Sequence, residues 1–302
     1  MKSLKRFDFT YILGWSVSRY ETFNLCKRQY YYQYYNKYDK DFSVSKINFL
    51  KNLTSIPLEI GNVVHDVNKT LLQRLRKNAN EINREKFLDY TRRKVEKYCN
   101  DKNFFEIHYK QMNNVDTEYI FNQVKICLLN LLDSYRFKWL VSEASKFGDD
   151  WIIEPPGYGE TRINELKSYC KVDFLFPVNE KIYILDWKTG KPDSEKHNKQ
   201  LLGYTTWASY HFESNPENIV SIVSYLNPEY KETEMSFNEW DVEEFTTQVR
   251  EETQEMYNFC EDVEQNVPKD KEKFIKTPNE KLCKYCNYYE LCYSLKMPNN
   301  GL

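Results

Sequence analysis

The run "IYILDWKTGKP", residues 182–192, is apolar until it ends in Asp186, Trp187 and Lys188. A charge at the end of a buried strand costs several kcal/mol unless it is paired or bound to a metal. Just upstream, "KVDFLFPVNEKIYILDWK" reads as two apolar strands flanking Asn179-Glu180 as a two-residue turn. A hairpin symmetric about that turn sets Asp173 opposite Asp186, with side chains about 5 Å apart. Two carboxylates at that distance repel, and the repulsion is relieved by a raised pKa on one of them or by a cation between them. Lys188, two residues beyond Asp186, lies on the same face of the strand. Two acids and a lysine at a strand end suit metal-assisted phosphodiester cleavage: the acids hold Mg²⁺ and the lysine orients or stabilises the nucleophile. On the hairpin alone, a surface ion pair between Asp186 and Lys188 accounts for these residues equally well, since a one-residue change in the turn abolishes the opposition.

A second set of chemically capable residues is soft. "CKYCNYYELC" supplies Cys283, Cys286 and Cys292 near the C-terminus. A tetrahedral thiolate site needs a fourth ligand, for which Cys26 is the candidate. Cys₄ suits an iron–sulfur cluster or zinc. Cys99, Cys127, Cys170 and Cys260 stand alone and read as small buried apolar side chains. Around Cys26, Lys27, Arg28 and the tyrosines of "YYYQYY" (30–35) combine charge with stacking surfaces that suit a single nucleic-acid strand. The tyrosines also fit a helix face in a core, the reading preferred for most of them; the nucleic-acid reading is kept for Lys27 and Arg28.

The elements that must position these residues follow from periodicity. After Pro57, Ile60, Val64, Val67, Leu71 and Leu75 have helical spacing, and residues 81–147 continue helical until Pro155, Pro156, Gly157 and Gly159 break the pattern. Strands are expected at 151–154, 163–167, 170–176, 182–187 and 220–226, with helices at 195–211 and 240–264. The order implies an α/β domain with a mixed central sheet and a helical insertion before it. The 302 residues suffice for one large domain or two small ones, and 41% hydrophobic with 29% charged residues is a globular composition. No apolar run is long enough for a membrane span. The N-terminus has basic residues before an apolar run, but Asp8 interrupts it and no small-x-small site follows; the expectation is an intracellular, cytoplasmic protein. Net charge is −2, yet residues 1–40 carry eight Lys/Arg against three Asp/Glu, so one face can still meet a polyanion. The acidic stretch at 231–264 reads as solvated helix faces.

Together these motifs resemble the PD-(D/E)xK nuclease superfamily, and more narrowly its RecB-like branch, whose motif is an apolar strand followed by Asp-x-Lys-Thr-Gly. That resemblance implies a restriction-endonuclease-like core over about 55–250, with the helical insertion at about 78–148, in a single nuclease domain spanning 1–302. Family positions have matches here: Gly61 and His65 in "GNVVH", Asp173 in "CKVDF" and Gln200 with Tyr204 in "KQLLGY". Cys170 stands where the family usually has glycine. The resemblance implies that His65, Asp173, Asp186 and the Trp187 main-chain carbonyl hold Mg²⁺ or Mn²⁺. It makes Lys188 the catalytic lysine, with Gln200 and Tyr204 supporting the site or touching the phosphate backbone. Glu154 would support the ligands without touching the metal. The cysteine pattern is similar to that of iron–sulfur members of the branch, such as the AddB-type and CRISPR spacer-acquisition nucleases. It implies a four-iron four-sulfur cluster on Cys26, Cys283, Cys286 and Cys292 that joins about 16–40 to about 265–296, with zinc as the alternative. The implied activity is a DNA nuclease, an exonuclease on single-stranded or end-containing DNA in repair, recombination, phage or CRISPR-related processing, with possible protein partners. The alternatives are a non-catalytic DNA-end-binding or scaffold subunit and a zinc-stapled interaction protein.

Overall fold

A computed structural model describes residues 4–5, 7–78, 81–154 and 160–293. Pro155, Pro156, Gly157 and Gly159 lie outside the described residues. In chain order the helices before the sheet are α1 (Val17–Leu25), α2 (Lys27–Tyr34), α3 (Val44–Lys51), α4 (Ile56–Lys77), α5 (Arg84–Asp101), α6 (Phe105–His108), α7 (Thr117–Asp133) and α8 (Tyr135–Ser142). Then come β1 (Ile152–Ile153), β2 (Glu160–Ile163), β3 (Leu166–Tyr169), β4 (Phe174–Val178), β5 (Lys181–Lys188), α9 (Ser194–Phe212), β6 (Ile219–Tyr225), β7 (Lys231–Met235) and α10 (Glu239–Tyr257). The chain continues through β8 (Cys260–Asp262), β9 (Val267–Pro268), α11 (Glu280–Cys283) and α12 (Tyr289–Cys292). These elements form two compact units. One comprises Met1–Asp8, Pro57–Asn100 and Asp116–Val249; the other comprises Phe9–Ile56, Asp101–Val115 and Arg250–Leu302. Residues 101–115, expected within the helical insertion, thus belong to the second unit.

The first unit carries a five-stranded mixed sheet in the order β1-β4-β5-β6-β7, in which β5 and β6 are parallel and the other pairs antiparallel. All seven residues of β6 are buried, as a strand covered on both faces requires. On one face Trp139 of α8 packs on Phe176 and Tyr183, with ring centroids 5.9 and 5.1 Å apart. On the other, α9 makes the crossover between the parallel strands and bonds Thr205 to Ser221 at 2.7 Å. Asp193 caps α9, its carboxylate accepting the Lys196 N–H at 3.2 Å. The β4–β5 hairpin closes at Val178↔Lys181 and runs to Phe174↔Leu185, the register symmetric about Asn179-Glu180.

Three expectations are corrected. Residues 163–167 are not one strand: Asn164 and Glu165 take left-handed backbone conformations (φ 44° and 69°) and turn β2 into β3. The apolar Ile163 and Leu166 on either side imitate a continuous strand. The helix expected at 240–264 ends at Tyr257, where the chain turns so that Phe259 packs on Phe23 and Phe274, and Cys260 starts β8. β7 is an edge strand whose sequence, Lys-Glu-Thr-Glu-Met, hides it from a hydrophobicity reading but suits an edge that resists further pairing. Residues 170–173 precede β4 instead of belonging to it.

In the second unit an aromatic core gathers Phe23, Tyr30, Tyr31, Tyr35 and Phe274. Tyr30, Tyr31, Tyr32 and Tyr35 are all buried, so these tyrosines are core side chains and offer no stacking surface. The Lys27 ammonium lies 3.6 Å from the centroid of Phe23, and Arg28 Nε donates to the Phe274 carbonyl at 2.9 Å. Among the described residues no helix is long and apolar enough to cross a membrane.

Candidate active site

The site is assembled from α4, the segment before β4, the end of β5 and the first half of α9. α4 runs for 22 residues with Val63, Val64 and Val67 buried, which turns His65 toward the sheet. A Cβ on Gly61 would stand 3.4 Å from Thr189 Oγ1, so glycine lets this helix lie against the turn that follows β5. The hairpin register brings Asp173 beside the end of β5, where its Oδ2 accepts the Trp187 N–H at 3.1 Å and its Oδ1 lies 3.1 Å from His65 Nδ1. Asp186 is 2% exposed. Its Oδ1 has Gln200 Nε2 and the Tyr204 hydroxyl at 3.3 Å, and its Oδ2 is 2.6 Å from Lys188 Nζ. Lys188 donates to Gln200 Oε1 at 2.8 Å; Gln200 Nε2 donates to the Tyr204 hydroxyl at 2.6 Å. That hydroxyl is also 3.1 Å from the Lys171 carbonyl. One helical turn separates Gln200 from Tyr204, so α9 delivers both to the same carboxylate.

The two acids differ in charge state because their surroundings differ. Burial, and then the Asp173 carboxylate nearby, push Asp186 up to about 6 against the opposing pull of Lys188. Burial also acts on Asp173, but His65, the Trp187 N–H and Lys188 outweigh it and hold that carboxyl below the usual range. For His65, burial favours the neutral ring, yet Asp173 and Asp186 hold the pKa up to about 9. The two carboxylates therefore relieve their repulsion, without a metal, by a raised pKa on one and a paired imidazolium on the other.

Glu154 joins this group. It follows β1, and its N–H donates to the Asp173 carbonyl at 3.0 Å. Among the described residues, His65, Glu154 and Asp173 form a set whose donor atoms all lie within 4.8 Å of one another. One imidazole nitrogen and hard carboxylate oxygens suit Mg²⁺ or Mn²⁺. The buried Asp186 Oδ2, which receives no well-directed hydrogen bond, adds a further donor suited to a cation. Sequence reasoning gave Glu154 a supporting place; the structure sets it with the candidate ligands themselves. It overlooked Lys69 and Lys171, whose ammoniums lie 3.1 and 3.9 Å from Glu154 Oε2. Lys69 was readable as one helical turn beyond His65. The partnership of Lys171 with Glu154 depends on the β1–β4 pairing, which no local pattern announces. The Trp187 side chain is buried, nearly parallel to Phe174 at 6.3 Å, and holds the strand end in place.

In the second unit Cys26, Cys283, Cys286 and Cys292 line one pocket together with Tyr32, Tyr288 and Tyr289. All four are free thiols. Burial pushes Cys286 up to about 12, and Cys292, Cys26 and Cys283 add to the effect; burial raises Cys292 as well. Four sulfurs from both ends of the chain line this one pocket, a soft donor set whose chemistry suits an iron–sulfur or zinc centre. Cys127, Cys170 and Cys260 are buried, whereas Cys99 is half-buried.

A family model described as the PD-(D/E)XK nuclease superfamily matches residues 14–293. No curated protein matches. Two solved structures are similar to this chain. One, described as SSO0001, is 16% identical with a TM-score of 0.29, covering 64% of this chain and 80% of its own. The other, a protein from Eubacterium rectale named provisionally as an exonuclease, is 12% identical with a TM-score of 0.48, covering 95% of this chain and 91% of its own.

Proposed function

The chain belongs to the PD-(D/E)XK nuclease superfamily, and from that premise we propose that it is a metal-dependent deoxyribonuclease of the RecB-like branch, an exonuclease acting on single-stranded or end-containing DNA. The observation that carries the proposal is the convergence of His65, Asp173, Asp186 and Lys188 at the end of β5. His65, Glu154, Asp173, Asp186 and the Trp187 carbonyl would hold Mg²⁺ or Mn²⁺. The bound cation supplies a water of lowered pKa and neutralises charge on the phosphate. Lys188 lies against Asp186 and Gln200, where its ammonium can orient the attacking water and stabilise the phosphorane-like charge. Gln200 and Tyr204 fix the Asp186 carboxylate and the lysine in one arrangement, so that little reorganisation is needed during reaction.

The four cysteines are proposed to hold a four-iron four-sulfur cluster joining the segments at about 16–40 and 265–296, with the nuclease core at about 55–250; zinc is the alternative. This clip closes a very long loop and so constrains the unfolded chain. The proposed setting is intracellular, in repair, recombination, phage or CRISPR-related DNA processing, with DNA and possible protein partners and no membrane. A non-catalytic DNA-end-binding subunit is the competing reading, and the presence of both acids and the lysine argues against it. The test is digestion of end-labelled linear and of circular DNA with Mg²⁺ or Mn²⁺ by anaerobically purified protein. Lys188→Ala and Asp186→Ala each lower cleavage by on the order of 10³-fold or more in a folded protein. Retained cleavage in either variant overturns the assignment, and cleavage of the circle overturns the exonuclease reading.

A further inference from the structure

Glu154 is placed for two incompatible partnerships. Its Oε2 is 3.1 Å from Lys69 Nζ and 3.9 Å from Lys171 Nζ. The same side chain also contributes a donor atom to the cluster with His65 and Asp173. A carboxylate whose charge is committed to a divalent cation no longer neutralises two ammoniums. Its position is fixed from the backbone: the N–H bonds to the Asp173 carbonyl at 3.0 Å, and φ is 38°, a left-handed value that a non-glycine residue keeps only where its surroundings impose it. The two lysines flank the ligands. Lys69 follows His65 by one turn of α4, and Lys171 precedes Asp173 by two residues. Their side chains are 35% and 59% exposed, so both ammoniums can reach solvent and a strand laid across the site.

We propose that Glu154 couples metal occupancy to DNA binding: it holds Lys69 and Lys171 in the metal-free protein and, once committed to a cation, leaves both to bind phosphates of the DNA backbone. This rests on the nuclease reading above and deepens it. Around the site the Lys69 and Lys171 ammoniums lie against Glu154 and that of Lys188 against Asp186, so without a cation these charges offset one another and attract a polyanion weakly. Releasing the two lysines from Glu154 gives the strand two ammoniums that were otherwise neutralised. The coupling is reciprocal, so DNA must raise cation affinity by the factor by which the cation raises DNA affinity.

The experiment is fluorescence anisotropy of a labelled single-stranded oligonucleotide across a salt series, in EDTA and with Ca²⁺ replacing Mg²⁺, with a gel confirming that the oligonucleotide stays intact. Calorimetry of Ca²⁺ binding accompanies it. In the natural protein Ca²⁺ tightens DNA binding by on the order of tenfold, the combined strength of two partly exposed ion pairs. Glu154→Gln binds in EDTA about as tightly as the natural protein does with Ca²⁺, and Ca²⁺ adds nothing further. Lys69→Ala/Lys171→Ala keeps its Ca²⁺ binding but loses the Ca²⁺ effect on DNA, and its slope of log affinity against log salt is shallower by about 1.4. Lys171→Ala alone, at an exposed position, gives half that change if the double variant folds poorly. The proposal is overturned if Glu154→Gln binds DNA more weakly in EDTA than the natural protein, if Ca²⁺ stimulation survives in it, or if the lysine variants leave the slope unchanged. Any of these in a protein whose natural form cleaves and binds DNA removes the coupling alone. A natural protein that binds no DNA under either condition removes the nuclease reading with it.

Discussion

The carboxylate site and the cysteine pocket are both sets of metal-capable side chains, but they are held in opposite ways. Asp173, Asp186 and Lys188 sit on or beside an eight-residue strand in the interior of a five-stranded sheet, and α4 and α9, which bring His65, Gln200 and Tyr204, are 22 and 19 residues long. Each charged group there has a protein partner within 3.3 Å. Cys283 and Cys292 sit on helices of four residues each, too short to be stable by themselves, and Cys26 occupies the junction of α1 and α2. Burial raises the Cys286 and Cys292 thiols and the neighbouring sulfurs add to it, while Lys276 and Arg28 oppose the rise at Cys292 without cancelling it. A site whose parts are satisfied without metal is preorganised and exchanges its ion; one whose parts are not depends on its metal for its shape.

The largest expected effect attacks the dependent half of that comparison. On the iron–sulfur proposal, Cys286→Ser purified anaerobically lacks the brown chromophore and the iron expected of the natural protein. Hydrogen exchange over residues 276–293 then accelerates by about a hundredfold or more, because losing a structural metal removes several kcal/mol of local stability. The strands β4, β5 and β6 stay protected, since their core of Phe174, Phe176, Leu185 and Ile222 is complete without metal. The Tyr288 hydroxyl bond to Gln33, the Asn287 bond to the Leu53 carbonyl at 2.8 Å and the Lys46–Glu290 pair at 3.0 Å limit the loosening to that segment. Full protection of 276–293 in an iron-free protein breaks the comparison; zinc in place of iron keeps the dependence but changes the metal.

The self-sufficient half can be broken from within. Arg136 on α8 reaches Glu232 on β7 with Nη2–Oε1 at 2.6 Å and also contacts Glu234, and the Arg136 and Glu232 side chains are only 6% and 3% exposed. Burial by itself raises Glu232, yet hydrogen bonds from Arg136, Tyr135 and Tyr230 hold its carboxyl below the usual glutamate range. A depressed carboxyl stabilises the fold above its unfolded-state pKa, about 4.3, and the contribution disappears as pH falls through the lower folded value. Glu232→Gln leaves a buried guanidinium short of its partner and costs about 3 kcal/mol at pH 7. Urea unfolding from pH 7 to pH 3 checks both signs: the gap between the natural protein and the variant narrows as pH falls below about 4. A gap that is constant with pH shows that the pair acts by packing alone.

Residues close in sequence carried most of what was legible. The Asp173–Asp186 opposition follows from a two-residue turn and the two-residue period of strands, and slippage of the register is opposed by the buried faces of Phe174 and Leu185. Gln200 and Tyr204 were legible as a pair because a helical turn is local. Glu154 was only half legible, since its place beside Asp173 is fixed by β1, a strand of two residues with too little pattern to read. Its partnership with Lys171 was not legible for the same reason, whereas Lys69 could be placed from His65 by one turn of α4. Asn164-Glu165 was lost because a turn made of residues other than glycine, flanked by Ile163 and Leu166, has the hydrophobicity of a strand. The end of α10 was lost because its acidic face continues past the last helical residue, and what stops the helix is the docking of Phe259 on Phe23.

The smallest effect tests how well the carboxylate site is balanced without metal. Asp186 is buried beside a second acid, and its pKa of about 6 marks the charged form as disfavoured in the folded protein. A carboxyl raised on folding carries no penalty below its unfolded pKa, near 4, and the full penalty once pH has risen through the folded value. Asp186→Asn keeps the shape and an oxygen acceptor for Gln200 and Tyr204 while removing that charge. In EDTA it is therefore more stable than the natural protein by about 1 kcal/mol at pH 8, with the difference vanishing near pH 4. Thermal melts at the two pH values measure it. On the proposed metal site, saturating Mg²⁺ reverses the order at pH 8, because the natural protein gains stability from the bound ion and the variant lacks one of the proposed ligands. A variant that is less stable in EDTA at pH 8 means that the Lys188–Asp186 pair outweighs the repulsion, and that this site, too, draws its stability from the ions it holds together.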